Sequence, residues 1–309
     1  MMELAVHIRK PQQGAGLNEI QNHLLGFYEA ADIQNTDWGG KLGRSIHRIY
    51  VGDEFCANRL PTLAELEDIL QFAATENKET TFLTPPLTND GLDACSLLFD
   101  CLKNMRPSAE IVANDWGTLL FLKAGYPSLR LAAGRLLDKG FKDPRLQDAD
   151  RLSLFSPETE ALLNASTFDH AGFQEKMVEL GVSRLERDVF PYARKLCGSP
   201  RLGISVYFPL GYVTTGRVCW TATFAQKPAG MFVASGKCAR TCDTMPLRLR
   251  SDDFSFPVIQ NGNTLYYLYS APMMASLVEV ARNQNLRLVY QGFALLPPLI
   301  KGGKGDLTT

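Results

Sequence analysis

From His47 onward the chain alternates between short β-rich runs and helical periodicities with few residues between them, and this alternation limits its possible folds more than any other feature. HRIYVG reads as a strand ending in glycine, and Thr62 then opens LAELEDILQFAATE, whose apolar residues recur at three-to-four spacing. TTFLTPPL predicts a strand running into a proline-rich loop, and 90–104 a helix with Leu92, Cys95, Leu98, Phe99 and Leu102 on one face. EIVAND, a helix from Trp116 and the strand-like SLRLAAGRLL continue the pattern. A helix over 171–180, a strand over 183–186, a helix over 191–197 and a strand over 202–208 extend it. Repeated strand and helix units with short connections predict an α/β fold, a (β/α) barrel-like sheet, incomplete or distorted. Functional groups are expected in the loops after the strands, since those loops share one face of such a sheet.

Two regions break the pattern. Residues 1–45 are rich in Gly, Gln and Asn and weakly periodic apart from a short amphipathic helix over 19–31. They read as a peripheral N-terminal segment, leaving 46–309 as a single barrel-like domain. Past Tyr207, FPLGYVTTGRVCWTATFAQKPAGMFVASGKCARTC is long, irregular and dense in Gly, Thr and aromatics. A stretch of that length inside a compact domain is usually functional or disordered, and its apolar content argues against disorder. It is therefore read as an irregular cysteine-bearing insertion. TLYYLYSAP then predicts a strand, 273–283 a helix and LRLVYQGF a last strand.

Composition narrows the function classes. A net charge of -1 and a pI near 6.4 provide no global positive field for a polyanion, so nucleic-acid binding is not expected. Apolar runs are short and broken by proline, far below the roughly 20 residues that span a bilayer. MMELAVHIRKPQQGAG lacks the charged start, apolar run and small-residue cleavage site of a secretory leader. Seven cysteines are an odd number in a chain too large to need staples, which favours reduced thiols and a cytoplasmic location.

The cysteines differ in setting. Cys95 and Cys101, among Leu and Phe, read as small buried hydrophobes, and Cys197, before a Gly-Ser-Pro turn, as structural. Cys219, Cys238 and Cys242 crowd the insertion, the last two in KCARTC with Gly236 just before. A tight pair on flexible backbone is how thiolates converge on one metal centre. The fourth soft ligand is Cys56, in the loop after a strand, or Cys197; the barrel geometry favours Cys56. Thiolates suit zinc or an iron–sulfur cluster. With one close pair and two ligands arriving singly, the set is unlike the two close pairs usual in structural zinc sites.

IYVGDEFCANRLP, FLTPPLTNDGL, IVANDWG and the Cys219, Cys238, Cys242 group, in that order, resemble the U32 peptidase-like family from about His47 to Cys242. Its members include collagenase-like peptidases, RNA-hydroxylation proteins and the UbiU and UbiV pair of oxygen-independent ubiquinone synthesis, and the pattern is nearest its UbiV-like branch. Gly52-Asp53-Glu54-Phe55-Cys56 resembles that branch's Gly-Glu-x-x-Cys element, Arg217-Val218-Cys219 its Arg-Cys element, and Cys238-Ala239-Arg240-Thr241-Cys242 its Cys-x3-Cys element. Asp53 stands where glutamate is expected, Val218 separates the arginine from the cysteine, and the insert before Cys238 is long. The resemblance implies a 4Fe-4S cluster on Cys56, Cys219, Cys238 and Cys242. It also implies a heterodimer with a UbiU-like partner that hydroxylates a ubiquinone precursor with an organic oxygen donor such as prephenate. A U32-type peptidase and an RNA-hydroxylation protein are the family's other readings.

Other candidates carry structural alternatives. Asn114 and Asp115 read first as a helix cap, otherwise as a polar wall at the barrel's C-terminal face. Asp53 and Glu54 share that choice and put negative charge beside the cysteine site. Arg217 and Arg135 could receive an anionic substrate or form ordinary ion pairs. His7, His23, His47 and His170 form no metal-binding pair, and neither a nucleophile elbow nor a phosphate-binding glycine loop is present.

Overall fold

The computed structural model describes residues 3–9, 16–30, 45–143, 155–190, 201–223, 226–230, 238–244, 246–249, 257–270 and 286–295, with 273, 274, 277, 280 and 281. The helix expected over 191–197, Cys197 and Gly236 lie outside them.

Strand and helix alternate, from β2 onward as the periodicity predicts: β1 (Glu3–Ile8), α1 (Leu17–Ala30), β2 (Arg48–Gly52), α2 (Leu63–Thr75), β3 (Glu79–Leu83), α3 (Asn89–Met105), β4 (Glu110–Ala113), α4 (Trp116–Gly125) and β5 (Arg130–Ala133). Then come α5 (Pro157–Asn164), α6 (Ala171–Glu179), β6 (Val182–Arg187) and β7 (Gly203–Phe208). Local chemistry sets the boundaries. Thr62 and Glu65 form a reciprocal capping box at the start of α2, a device worth about 1 kcal/mol. Ser156 and Pro157 start α5 in the same spirit, with the hydroxyl on the Thr159 amide and proline in the first turn.

The strands β1 to β7 and β12 (Arg287–Tyr290) pair in parallel around a closed eight-stranded barrel, with β12 hydrogen-bonded between β7 and β1. The barrel is complete, a (β/α)8 fold. Inward positions stack in layers: Ala5, Tyr50, Leu83, Val112, Ala132, Tyr207 and Val289 fill the middle. Outward residues such as Leu4, Val6, Ile49, Val51 and Ile111 pack against Leu66, Ile69, Phe99 and Leu119 of the surrounding helices. The lower end is polar but paired, with Arg287 held by Glu3 and Glu110, and Arg48 by Glu3.

The N-terminal segment is not peripheral throughout. Residues 3–8 are the first barrel strand, paired with both β2 and β12, and Leu4 to Ile8 are almost wholly buried. ELAVHI alternates Leu4, Val6 and Ile8 outward with Ala5 and His7 inward, as a two-sided buried strand does. The Gly- and Gln-rich residues that follow it diluted this signal.

The insertion is less irregular than its sequence. Immediately after β7 the chain turns through Pro209 into β8 (Leu210–Thr215), and β9 (Leu247–Leu249), β10 (Val258–Asn261) and β11 (Thr264–Leu268) join it in an antiparallel sheet of order β8-β11-β10-β9. A short helix, α7 (Trp220–Thr223), lies between β8 and β9, and α8 (Gly292–Leu295) follows β12. Phe55 and Leu136, from loops after β2 and β5, pack with Leu210, Tyr212, Tyr266 and Leu268 in a separate apolar cluster. That cluster seats the added sheet over the C-terminal mouth of the barrel. No described helix is long and apolar enough to cross a membrane.

Candidate functional site

Cys56, Cys219, Cys238 and Cys242 line one pocket, together with Asn58, Arg59, Arg217 and Asn263. They arrive from the loop after β2, from the start of α7 and from the segment before β9, separated by more than 160 positions between Cys56 and Cys219. Cys242 is buried and the other three are half-buried; all four are free thiols. Among the described residues no group of three His, Cys, Asp or Glu side chains is arranged to hold a single metal ion.

Specific contacts bring the three segments together. Asp53 Oδ1 accepts the amides of Phe55 and Cys56, each at 2.9 Å, and so folds the loop that presents the thiol. Asn263, in the β10–β11 turn, donates to the carbonyls of Phe55 at 2.7 Å and Gly216 at 2.8 Å, tying the Cys56 loop to the segment before Cys219. Arg240, between the paired cysteines, donates to the carbonyls of Asn58 at 2.7 Å and Leu60 at 2.9 Å. Its own amide points at Cys238 Sγ, 3.4 Å away, and it holds a left-handed backbone with φ of 55°. Gly262 turns the hairpin at φ +69°, where a Cβ would lie 3.4 Å from Cys242 Sγ.

The electrostatics around the thiols are mixed. Burial, then Asp53, pushes the Cys56 thiol up to about 11, and burial also raises Cys242. Against this stand two buried arginines. Arg59 pairs with Asp53 at 3.8 Å and Asp243 at 3.3 Å and binds Asn261, while Arg9 sits 3.4 Å from Asp53. Arg9 Nε and Nη2 and Arg59 Nε are buried with no hydrogen-bond partner, although both guanidinium groups favour a charged Cys242. Two guanidinium groups, each ion-paired to a carboxylate, thus stand beside the four soft thiols, a setting that suits an anionic group. A tetrahedral zinc at 2.3 Å from each sulfur needs those sulfurs about 3.8 Å apart, whereas a four-iron cluster gives each thiolate its own iron. The donor set, four thiols lining one pocket, is soft and suits either group.

Glu54 does not join this pocket. It faces the barrel mouth, where it binds the fully buried Arg135 through both oxygens. Arg135 also donates to Asp188 Oδ1 at 2.7 Å and Gln291 Oε1 at 3.2 Å, and its guanidinium lies 3.7 Å from the Tyr207 ring centre. The centre of the mouth is thus filled by a satisfied ion cluster, and Arg135 is an ordinary, if deeply buried, ion pair. Asp115 caps α4 through the Thr118 amide at 2.8 Å and also accepts the Leu87 amide. Asn114 bridges Thr84 and Leu136. Arg217 is exposed at the cysteine pocket. His7 Nε2 donates to the Gly52 carbonyl at 2.8 Å, and burial with Arg9 holds its ring down at about 4.

Sequence reasoning missed Arg9, Arg59, Arg240 and Asn263. Arg59 and Arg240 had a signal, since each lies within three residues of a candidate cysteine. Arg9 and Asn263 had none, because only the barrel closure and the added sheet bring them near.

No protein-family model matches the chain, and neither does any curated protein. Among solved structures it is similar to CutC from Streptococcus agalactiae, at 8% identity over 94% of this chain and 98% of that one, with a TM-score of 0.40. It is similar to a chitinase from Trichuris suis at 9% identity, covering 100% and 97%, TM-score 0.38. The spore cortex-lytic enzyme SleL from Bacillus cereus matches at 9% identity over 96% and 72%, TM-score 0.38. The class of the fold rests on the chain's own strand pairing.

Proposed function

We propose that this chain is an iron–sulfur protein in which Cys56, Cys219, Cys238 and Cys242 ligate a 4Fe-4S cluster on loops above a plugged barrel mouth. The observation that carries the reading is the gathering of these four thiols, from three segments distant in sequence, around one pocket. A cluster bound there supplies a one-electron redox centre whose potential follows the charge and hydrogen bonding around its sulfurs. The chain's own residues prepare the site. Asp53 shapes the Cys56 loop, Arg240 clamps the Cys238–Cys242 turn, and Arg9 and Arg59 supply positive charge. With its thiol held up at about 11, Cys56 is protonated at neutral pH, so loading releases protons and weakens as pH falls.

The narrower reading rests on the U32 resemblance. In it the chain is a UbiV-like cytoplasmic subunit that, with a UbiU-like partner, hydroxylates a ubiquinone precursor without molecular oxygen, using an organic oxygen donor such as prephenate. The test is anaerobic purification with iron, sulfide and zinc quantitation and a visible spectrum, on wild type and Cys56→Ala. About four irons and four sulfides per chain, with a broad visible band lost in the variant, support the cluster. One zinc and no iron overturn it. Failure of the chain to co-purify with a UbiU-like protein under the same conditions overturns the narrower reading alone.

A further inference from the structure

A second cavity, of about 640 Å3, opens between the segment 136–143 that follows β5 and strand β8; it shares no lining residue with the cysteine pocket. One wall is Tyr212 to Thr215, the other runs through Asp138 to Asp143, and Lys142 lines it. Lysines are almost never buried unless paired, yet the Lys142 side chain is only 6% exposed. Its Nζ lies 3.4 Å from the Tyr212 ring centre and 5.4 Å from that of Phe190. Its one carboxylate partner among the described residues, Asp188 at 3.3 Å, is shared with Arg135 at 2.7 Å and with the Tyr212 amide at 3.4 Å. The negative charge facing the amine is therefore divided among three donors. Burial pulls the Lys142 amine down to about 8, with Arg135 pulling the same way and Asp188 and Asp138 opposing. At pH 7 about a tenth of such amines are neutral, against well under one in a thousand for an ordinary lysine. A purely structural ion pair explains the burial, but it leaves unexplained why a lysine with a carboxylate in proton-transfer reach of its amine lines an open cleft.

We propose that this cleft is a binding site for a small carbonyl compound, an aldehyde or keto acid, which the Lys142 amine captures as an imine. The Nζ lone pair forms a bond to the carbonyl carbon while the carbonyl π pair moves to oxygen, which takes a proton from the attacking nitrogen to give a carbinolamine. Asp188 accepts the ammonium proton and returns it to the departing hydroxyl, so that water leaves as the C=N bond forms. No oxidant or reductant is consumed. Lys139 and Asp143 along the lining give the cleft charges of both signs, suited to a polar ligand. The geometry follows the general pattern of a lysine made nucleophilic by desolvation at the C-terminal face of a barrel.

The experiment uses the full chain, glyoxylate as the carbonyl probe and cyanoborohydride to trap imines, with peptide mapping of every lysine between pH 6 and 10. At pH 7 Lys142 is expected to label at least about tenfold faster than Lys176, which is 60% exposed. The advantage should shrink as pH approaches 10, where ordinary lysines also deprotonate. Lys142→Arg should abolish the fast phase. Because the rate comparison is internal to the wild-type protein, a variant that fails to fold does not weaken the test. Labelling of Lys142 no faster than Lys176 at pH 7 overturns the proposal, and the outcome is independent of iron content.

Discussion

Replacing Arg135 by methionine keeps most of the side-chain volume at the barrel mouth but removes the charge that Glu54 and Asp188 both hold. Breaking a buried ion pair from one side costs roughly 3–5 kcal/mol, because the partner is left charged and desolvated. Two features place this site at the lower end. Lys142 stays on Asp188, so only Glu54 loses its sole cation. Burial already raises the Glu54 carboxyl, so it can take up a proton once Arg135 is gone. Loss of the stack on Tyr207, 3.7 Å below, adds about 1–2 kcal/mol for a desolvated cation–π contact. The sum is about 4 kcal/mol at pH 8, falling at acid pH as Glu54 becomes neutral without charge cost. The assay is urea unfolding by circular dichroism at pH 5 and pH 8, with Arg135→Met, Glu54→Gln and the double variant. The double variant should recover at least about 1 kcal/mol relative to the sum of the singles. A single-variant loss under about 1 kcal/mol, or strict additivity, would refute the view that the mouth is a structural ion cluster.

Between about pH 4 and 6.5 His7 contributes a stability that is present above its unfolded value of 6.5 and is lost as pH falls, because the unfolded chain binds the proton that the buried ring refuses. His7→Gln should remove a slope of about 1.4 kcal/mol per pH unit in that window, read from urea midpoints. Glu186 acts in the opposite sense: burial and Glu110 hold its carboxyl above the ordinary range, so stability falls as pH rises past the unfolded value, and Glu186→Gln should gain more on wild type at pH 8 than at pH 4.5. Gly52→Ala should cost at least about 2 kcal/mol or prevent folding, since Gly52 has φ +108° and a Cβ there meets the Leu83 carbonyl. Arg240→Ala, which frees the paired-cysteine turn from Asn58 and Leu60, should lower iron per chain at least twofold under anaerobic purification while the far-ultraviolet spectrum is unchanged. Retention of full iron would show the clamp to be dispensable.

Legibility differed sharply between the scaffold and the site. Local periodicity made β2 through β5 and their helices readable, down to Thr62 as a cap and the Leu98, Phe99 and Leu102 face of α3, because each depends on residues within a turn or two. β1 was lost among flanking Gly and Gln, and β8 within a Thr- and Gly-rich stretch, because their strand character comes from partners 40 or more residues away. The Cys238–Cys242 pair was visible as spacing. Its relation to Cys56 was not, since no local rule joins positions so far apart.

By itself, then, the sequence determined the alternating elements, the parallel barrel class and the four cysteines worth watching, all of which follow from short-range pattern and side-chain chemistry. Only the tertiary structure decided that the barrel closes through its N-terminal strand, that Glu54 turns inward to Arg135 while Asp53 turns to Cys56, and that Lys142 borders a cleft. The reason is geometric. Adjacent residues such as Asp53 and Glu54 point to opposite surroundings, and which surrounding each meets is set by strand closure and by an inserted sheet assembled from residues 150 or more positions further along the chain.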